Sequence, residues 1–143
     1  MSAAPDALVH ASCVAIGGRA VLLAGRAGAG KSDLALRLID RGAALVSDDY
    51  TELRRWGGRL LARAPATIAG RIEVRGIGIV DLAPASDVPV CLYADLEAPP
   101  ERLPEARTIR LAGEDIPSIA LAALEPSAPL KLEYALVRFG LPL

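Results

Sequence analysis

The sequence has 143 residues, the length of one ordinary domain, and its 52% hydrophobic and 23% charged residues build a core and exclude a disordered chain. A formal net charge of −1, with both signs interspersed, gives no electrostatic basis for holding DNA, RNA or an anionic membrane. No apolar run reaches the roughly 18 residues of a membrane span, the first residues lack a secretory signal's basic and apolar regions, and Cys13, Cys91 and His10 form no metal-ligand pattern, so we expect a cytoplasmic protein in a reduced compartment.

In chain order, residues 9–16 and 19–24 are apolar runs separated by Gly17-Gly18, which predicts an antiparallel hairpin with a two-residue turn. A glycine-rich loop follows, and then residues 32–41 carry Leu34, Ala35, Leu38 and Ile39 on one helical stripe that ends at Gly42. Residues 43–46 read as a short strand running into Ser47-Asp48-Asp49, and residues 51–55 and 59–64 flank a Trp56-Gly57-Gly58 turn. Strands are expected at 72–74, 79–82, 88–96 and 107–111. The last element is a helix over 129–138, with Pro129 at its first position. The whole predicts a single α/β domain that opens with antiparallel strands and has few helices.

Gly25-Arg26-Ala27-Gly28-Ala29-Gly30-Lys31-Ser32 fits G-x-x-x-x-G-K-[ST], after a strand and opening a helix, which is the context that motif requires. Glycines let successive backbone N–H groups turn toward phosphate oxygens, and the helix N-terminus adds a favourable dipole. Lys31 reaches the outer phosphates and Ser32 offers its hydroxyl to Mg²⁺. Lys31 and Lys131 are the only lysines, so a lysine at this point is not a compositional default. The eight residues are therefore the candidate ATP site.

One helix further on, Asp48 and Asp49 end a strand at the place where α/β folds bring a strand end beside the phosphates. One carboxylate can hold Mg²⁺ and the other can take a proton from an attacking hydroxyl, with the assignment left open between them. Glu73 and Arg75, two apart on a predicted strand, would share one face and could add a metal ligand and a cation. His10 on the first strand is a candidate proton carrier beside the aspartates. Trp56 and its neighbouring arginines read as a solvated hairpin.

The loop GRAGAGKS, the run LVSDD and the run IEVRGIGIVDL together resemble the catalytic domain of HPr kinase/phosphorylase, across roughly residues 9–82. The resemblance implies an α/β P-loop fold akin to phosphoenolpyruvate carboxykinase, with a mixed, largely antiparallel sheet and few helices, and a protein-serine kinase acting with ATP and Mg²⁺ on an HPr-type phosphocarrier. It also implies Lys31 and Ser32 on phosphate and metal, Glu73 and Asp48 as further metal residues, Asp48 or Asp49 as base, and His10 and Arg75 as catalytic neighbours. By the same resemblance the chain corresponds to the short alphaproteobacterial-like form without the family's N-terminal domain, and to a homo-oligomer. Past Leu96 the family's Pro-Gly-Arg-Asn run is missing and the acidic Gly113-Glu114-Asp115 stands near its place, so the resemblance supports the forward transfer more than reverse dephosphorylation. Two other classes stay open on the residues alone: a nucleotide-sensing module without transfer activity, and a small-molecule P-loop kinase.

Overall fold

The computed structural model describes residues 4–143; Met1, expected just ahead of the domain, lies outside them. The strands and helices are β1 (Ala7–Val9), β2 (Ala11–Ile16), β3 (Arg19–Ala24), α1 (Lys31–Asp40), β4 (Ala44–Ser47), β5 (Thr51–Trp56) and β6 (Arg59–Arg63), then β7 (Arg71–Val74), β8 (Gly78–Asp81), β9 (Val88–Asp95), β10 (Arg107–Leu111), β11 (Glu114–Ala120) and α2 (Ala128–Phe139). Nine strands make one sheet in the order β1-β5-β6-β9-β3-β2-β4, with β11 and then β10 attached to β9, while β7 and β8 pair apart from it. Among the described residues only the β3–β9 and β9–β11 pairs are parallel. The mixed, mostly antiparallel sheet with two helices is the one expected.

The opening hairpin is built by Gly17 and Gly18, both at positive φ (58° and 82°), which is what a two-residue turn matching the strand twist demands. Patterning merged β1 and β2 into one strand. The structure bends the chain at His10, because β1 pairs with β5 whereas β2 pairs with β3 and β4. β9 is the hub. Its one edge carries β3 along most of its length, and its other edge is divided, with β6 on Val88 and Pro89 and β11 on residues 93–95.

Both faces of the central strands are covered, which explains why their residues are apolar without alternation. On the helix side Val14, Val21, Leu23 and Leu45 meet Leu34, Ala35 and Leu38 of α1 and Leu132 and Leu136 of α2. On the opposite side Cys13, Leu22 and Val46 pack under Leu53, Leu60 and Ile116 from β5, β6 and β11. Gly42 closes α1 at φ 107°, with the Ala43 N–H bonded to Leu38 O at 3.0 Å. Arg41 then clamps Glu133 of α2 through both carboxylate oxygens. Pro129 sits at the second rather than the first position of α2. No helix among the described residues is long and apolar enough to cross a membrane.

Burial gives Cys13 a checkable behaviour. It is fully enclosed, and desolvation pushes its thiol far above the ordinary range, only partly offset by a backbone hydrogen bond from Val21. The native thiol should resist alkylation until the chain unfolds, as timed labelling in denaturant would show. Because the native pKa is the raised one, this contribution to stability is complete below the ordinary thiol value of about 8.5 and declines as pH rises above it. Rapid labelling of Cys13 in the folded protein would contradict this packing.

Candidate active site

The site forms where β2, the loop ahead of α1, and the turn after β4 meet. The loop leaves β3 at Gly25 and winds through Gly28 (φ 86°) to Gly30 (φ 93°), whose left-handed backbone starts α1. The left-handed backbone reserves Gly30 for glycine, and a Cβ there would also press on the Leu124 side chain at 3.0 Å. No side chain caps α1, which leaves its first-turn N–H groups to a ligand. Lys31 is only 5% exposed. Its ammonium donates to Gly25 O at 2.7 Å and Arg26 O at 3.1 Å and lies 3.7 Å from Asp49 Oδ1, held inside the curl of the loop. Arg26, by contrast, points outward toward Glu97.

The turn after β4 is aimed by two local devices. The β2–β4 register slips between Cys13 and Val14, so that one residue of β4, Val46, is extra, and such bulges bend a strand end. Ser47 Oγ then donates to Tyr50 O, and Thr51 Oγ1 donates to Ala11 O at 2.8 Å, pinning the turn to β2. Asp49 takes a left-handed φ of 68° that Asp and Asn tolerate better than other residues with a Cβ.

These constraints give the two aspartates different surroundings. Asp48 is buried and its carboxylate accepts three hydrogen bonds: Oδ1 from Ser12 Oγ (3.0 Å) and Ser32 Oγ (2.6 Å), Oδ2 from the Glu73 N–H (3.0 Å). The Asp49 side chain is 53% exposed, with Oδ1 2.9 Å from His10 Nε2, and the His10 ring stacks on Tyr50 with centroids 4.8 Å apart. One carboxylate is held by three donors and fixed. The other is open to solvent beside an imidazole and an ammonium.

The structure thus brings together His10, Lys31, Ser32, Asp48 and Asp49 from the expected set, and adds Ser12, which sequence reading passed over as filler in an apolar strand. Glu73 joins through its main chain, with its side chain exposed. Arg75 is corrected in position. It lies in the turn between β7 and β8, not on a strand face shared with Glu73, and no hydrogen bond or ion pair among the described residues links it to the loop or the aspartates.

Beside these groups opens a cleft of about 430 Å³, lined by His10, Gly25 and Arg26 and walled by Val9, Tyr93 and Leu111. Burial first, then the charges of Asp95 and Glu97, push the hydroxyl of the cleft residue Tyr93 up, which keeps it a neutral donor. Among the described residues no three His, Cys, Asp or Glu side chains gather as a metal cage. A phosphate-bound Mg²⁺ does not need one, since it takes one or two protein oxygens and fills its remaining positions with phosphate and water. Ser32 fits that role: its proton is committed to Asp48, leaving its oxygen lone pairs free for a cation.

A family model described as HPr Serine kinase C-terminal domain matches residues 1–85, more than half of the chain. The chain belongs to the HPr serine kinase C-terminal domain family. It is 42% identical over 79 residues to an HPr kinase/phosphorylase from Clostridium beijerinckii, covering 55% of this chain and 26% of that protein. It is 46% identical over 83 residues to one from an Exiguobacterium strain, covering 57% of this chain and 27% of the relative. The chain therefore spans about a quarter of the length of the curated relatives it matches. The solved structure of the HPr(Ser) kinase/phosphatase from Coxiella burnetii superposes with a TM-score of 0.79 at 33% identity, over 92% of this chain and 94% of that one. The HPr kinase fold accordingly continues well past residue 85, through the part of the chain where the family's sequence pattern is not matched.

Proposed function

We propose that this HPr kinase domain is an ATP-dependent protein-serine kinase acting in the cytoplasm on an HPr-type phosphocarrier. The observation that carries the reading is the exposed Asp49 carboxylate, bonded to His10 and 3.7 Å from the loop lysine. That is a base placed where a hydroxyl would meet the outer phosphate.

When bound, ATP and Mg²⁺ supply the phosphoryl group and neutralise the charge that spreads over it during transfer. Gly25 to Ser32 and the amino end of α1 hold the phosphate oxygens, and Lys31 places a point charge among them. Ser32 and Asp48 hold the metal side, with Glu73 in reach through the β7 strand. Asp49 takes the proton of the acceptor serine at its free carboxylate edge, and His10 orients Asp49 and shares that proton. Arg75, at the exposed hairpin tip, meets the acceptor protein rather than the phosphates.

The acceptor serine enters through the cleft beside His10, whose apolar walls suit a short segment of polypeptide and exclude water from the transferring group. Residues beyond 96 border it and supply the carrier contact. Run backwards, the same groups would return phosphoryl from the carrier serine. Assembly as a homo-oligomer belongs to this proposal too, supported by Leu130, Tyr134 and Val137, which form an exposed apolar stripe on α2. No nucleic acid or membrane partner enters it.

Purified protein, an HPr-type carrier and γ-labelled ATP give the test. Label on a carrier serine is the expected result. Intact nucleotide binding with no serine label would overturn the kinase reading in favour of a sensing module.

A further inference from the structure

The one hydroxyl of β2 stands at the centre of the site with no role in the scheme above. We propose that Ser12 is a positioning residue for the Mg²⁺-nucleotide site, setting the carboxylate of Asp48 and the main chain of Asp49 with a single hydroxyl. The inference rests on the nucleotide reading of the loop and not on which acceptor is used.

Ser12 is wholly buried between Ala11 and Cys13, where an apolar side chain of that size would pack as well. A hydroxyl enclosed without partners is costly, so its presence has to be matched by the bonds it makes. It makes two, donating to Asp48 Oδ1 at 3.0 Å and accepting from the Asp49 N–H at 3.0 Å. The result is a continuous chain of donors, from Asp49 N–H to Ser12 to Asp48 Oδ1, which the Ser32 hydroxyl meets from the other side. The acceptor of the Ser32 proton is thus held on Oδ1 by Ser12 and on Oδ2 by the Glu73 N–H, and Ser12 is the side-chain part of that hold. The left-handed Asp49 has its N–H tied by the same group, and a strained backbone persists only where its surroundings over-determine it.

The alignment of β2 with its neighbours does not depend on these bonds. Pairing of Cys13 with Ser47 and the Thr51 hydroxyl on Ala11 O already fix the strand and the turn. What is left for Ser12 to set is the orientation of the Asp48 carboxylate and of the main chain at Asp49.

The test compares the full chain with Ser12→Ala, Ser12→Cys and Ser12→Thr, titrating a fluorescent ATP analogue with Mg²⁺ and again in EDTA, with thermal melts alongside. The gain in affinity on adding Mg²⁺ should fall about 10- to 100-fold in the Ala and Cys variants, as for other residues that orient a metal ligand, with metal-free affinity within about twofold of wild type. Threonine, which keeps the hydroxyl, should restore most of the gain. An unchanged gain in Ser12→Ala, an equal loss of metal-free affinity, or indistinguishable Cys and Thr variants would each overturn the proposal. If Ser12→Ala does not fold, the Cys and Thr pair decides. A wild type that binds Mg²⁺-nucleotide but labels no carrier ends the kinase reading and leaves this comparison intact.

Discussion

Asp49→Asn should slow phosphoryl transfer to the carrier by about 100- to 10,000-fold, the range a positioned proton acceptor contributes. The substitution is isosteric, and asparagine tolerates the left-handed φ of 68° that this position requires. The side chain is more than half exposed, so losing its charge beside His10 and Lys31 should cost the fold no more than about 1 kcal/mol. Nucleotide affinity should hold, because the loop's own donors and Lys31 make the phosphate contacts. The expected signature is a fall in kcat at nearly constant nucleotide Kd, which assigns the loss to the transfer step. Transfer within about tenfold of wild type would place the base elsewhere.

Asp48→Asn, one residue earlier, should fail in a different way. Three donors converge on the Asp48 carboxylate, and the Glu73 N–H among them cannot rotate away. An amide supplies one acceptor oxygen and turns an NH₂ group toward whichever donors have lost theirs. A buried donor left unsatisfied costs about 1–3 kcal/mol, so the variant should unfold at lower denaturant concentration with an unchanged m-value. Mg²⁺-dependent nucleotide binding should fall with it, since Ser32 loses its fixed acceptor. A variant as stable as wild type would show that the three contacts are not held together in the folded protein. Adjacent, chemically identical residues thus separate into one that shows in rate and one that shows in stability, and the difference comes from which side of the β4 turn each faces.

How far the site can be read from the sequence follows from what kind of interaction defines each part. The phosphate loop is legible because it is local: glycines, lysine and serine at fixed spacing dictate a strand-loop-helix with its N–H groups turned inward. The Gly17-Gly18 hairpin and the α1 stripe are legible for the same reason. Ser12 is not, since a serine in the apolar run of 9–16 means nothing until the chain has brought Asp48 and Asp49 back beside it. The roles of the two aspartates were equally invisible, being set by burial and by the register slip at Val46. Arg75 was misplaced because strand alternation was carried one residue past the end of β7, into the turn. β11 was missed altogether: Pro117 breaks a strand pattern, yet here it faces Thr108 of β10 while pairing with β9 begins only at Ser118, so its missing N–H interrupts no bond to β9.

The divided edge of β9 bears on how the domain could have changed over time. The stretch that carries the family pattern, residues 1–85, contains the loop and both aspartates, but later residues complete its sheet and core. β3, which launches the loop, has β9 as its second neighbour, and the helix-side core needs Leu132 and Leu136 from α2. The recognisable half and the divergent half therefore share one sheet and one core. Away from the cleft, what selection can see in residues 86–143 is a shape to be supplied: buried aliphatic side chains at the right places, and a strand for β3 to lean on. Many sequences meet that demand, so identity can drift there while the architecture stays put.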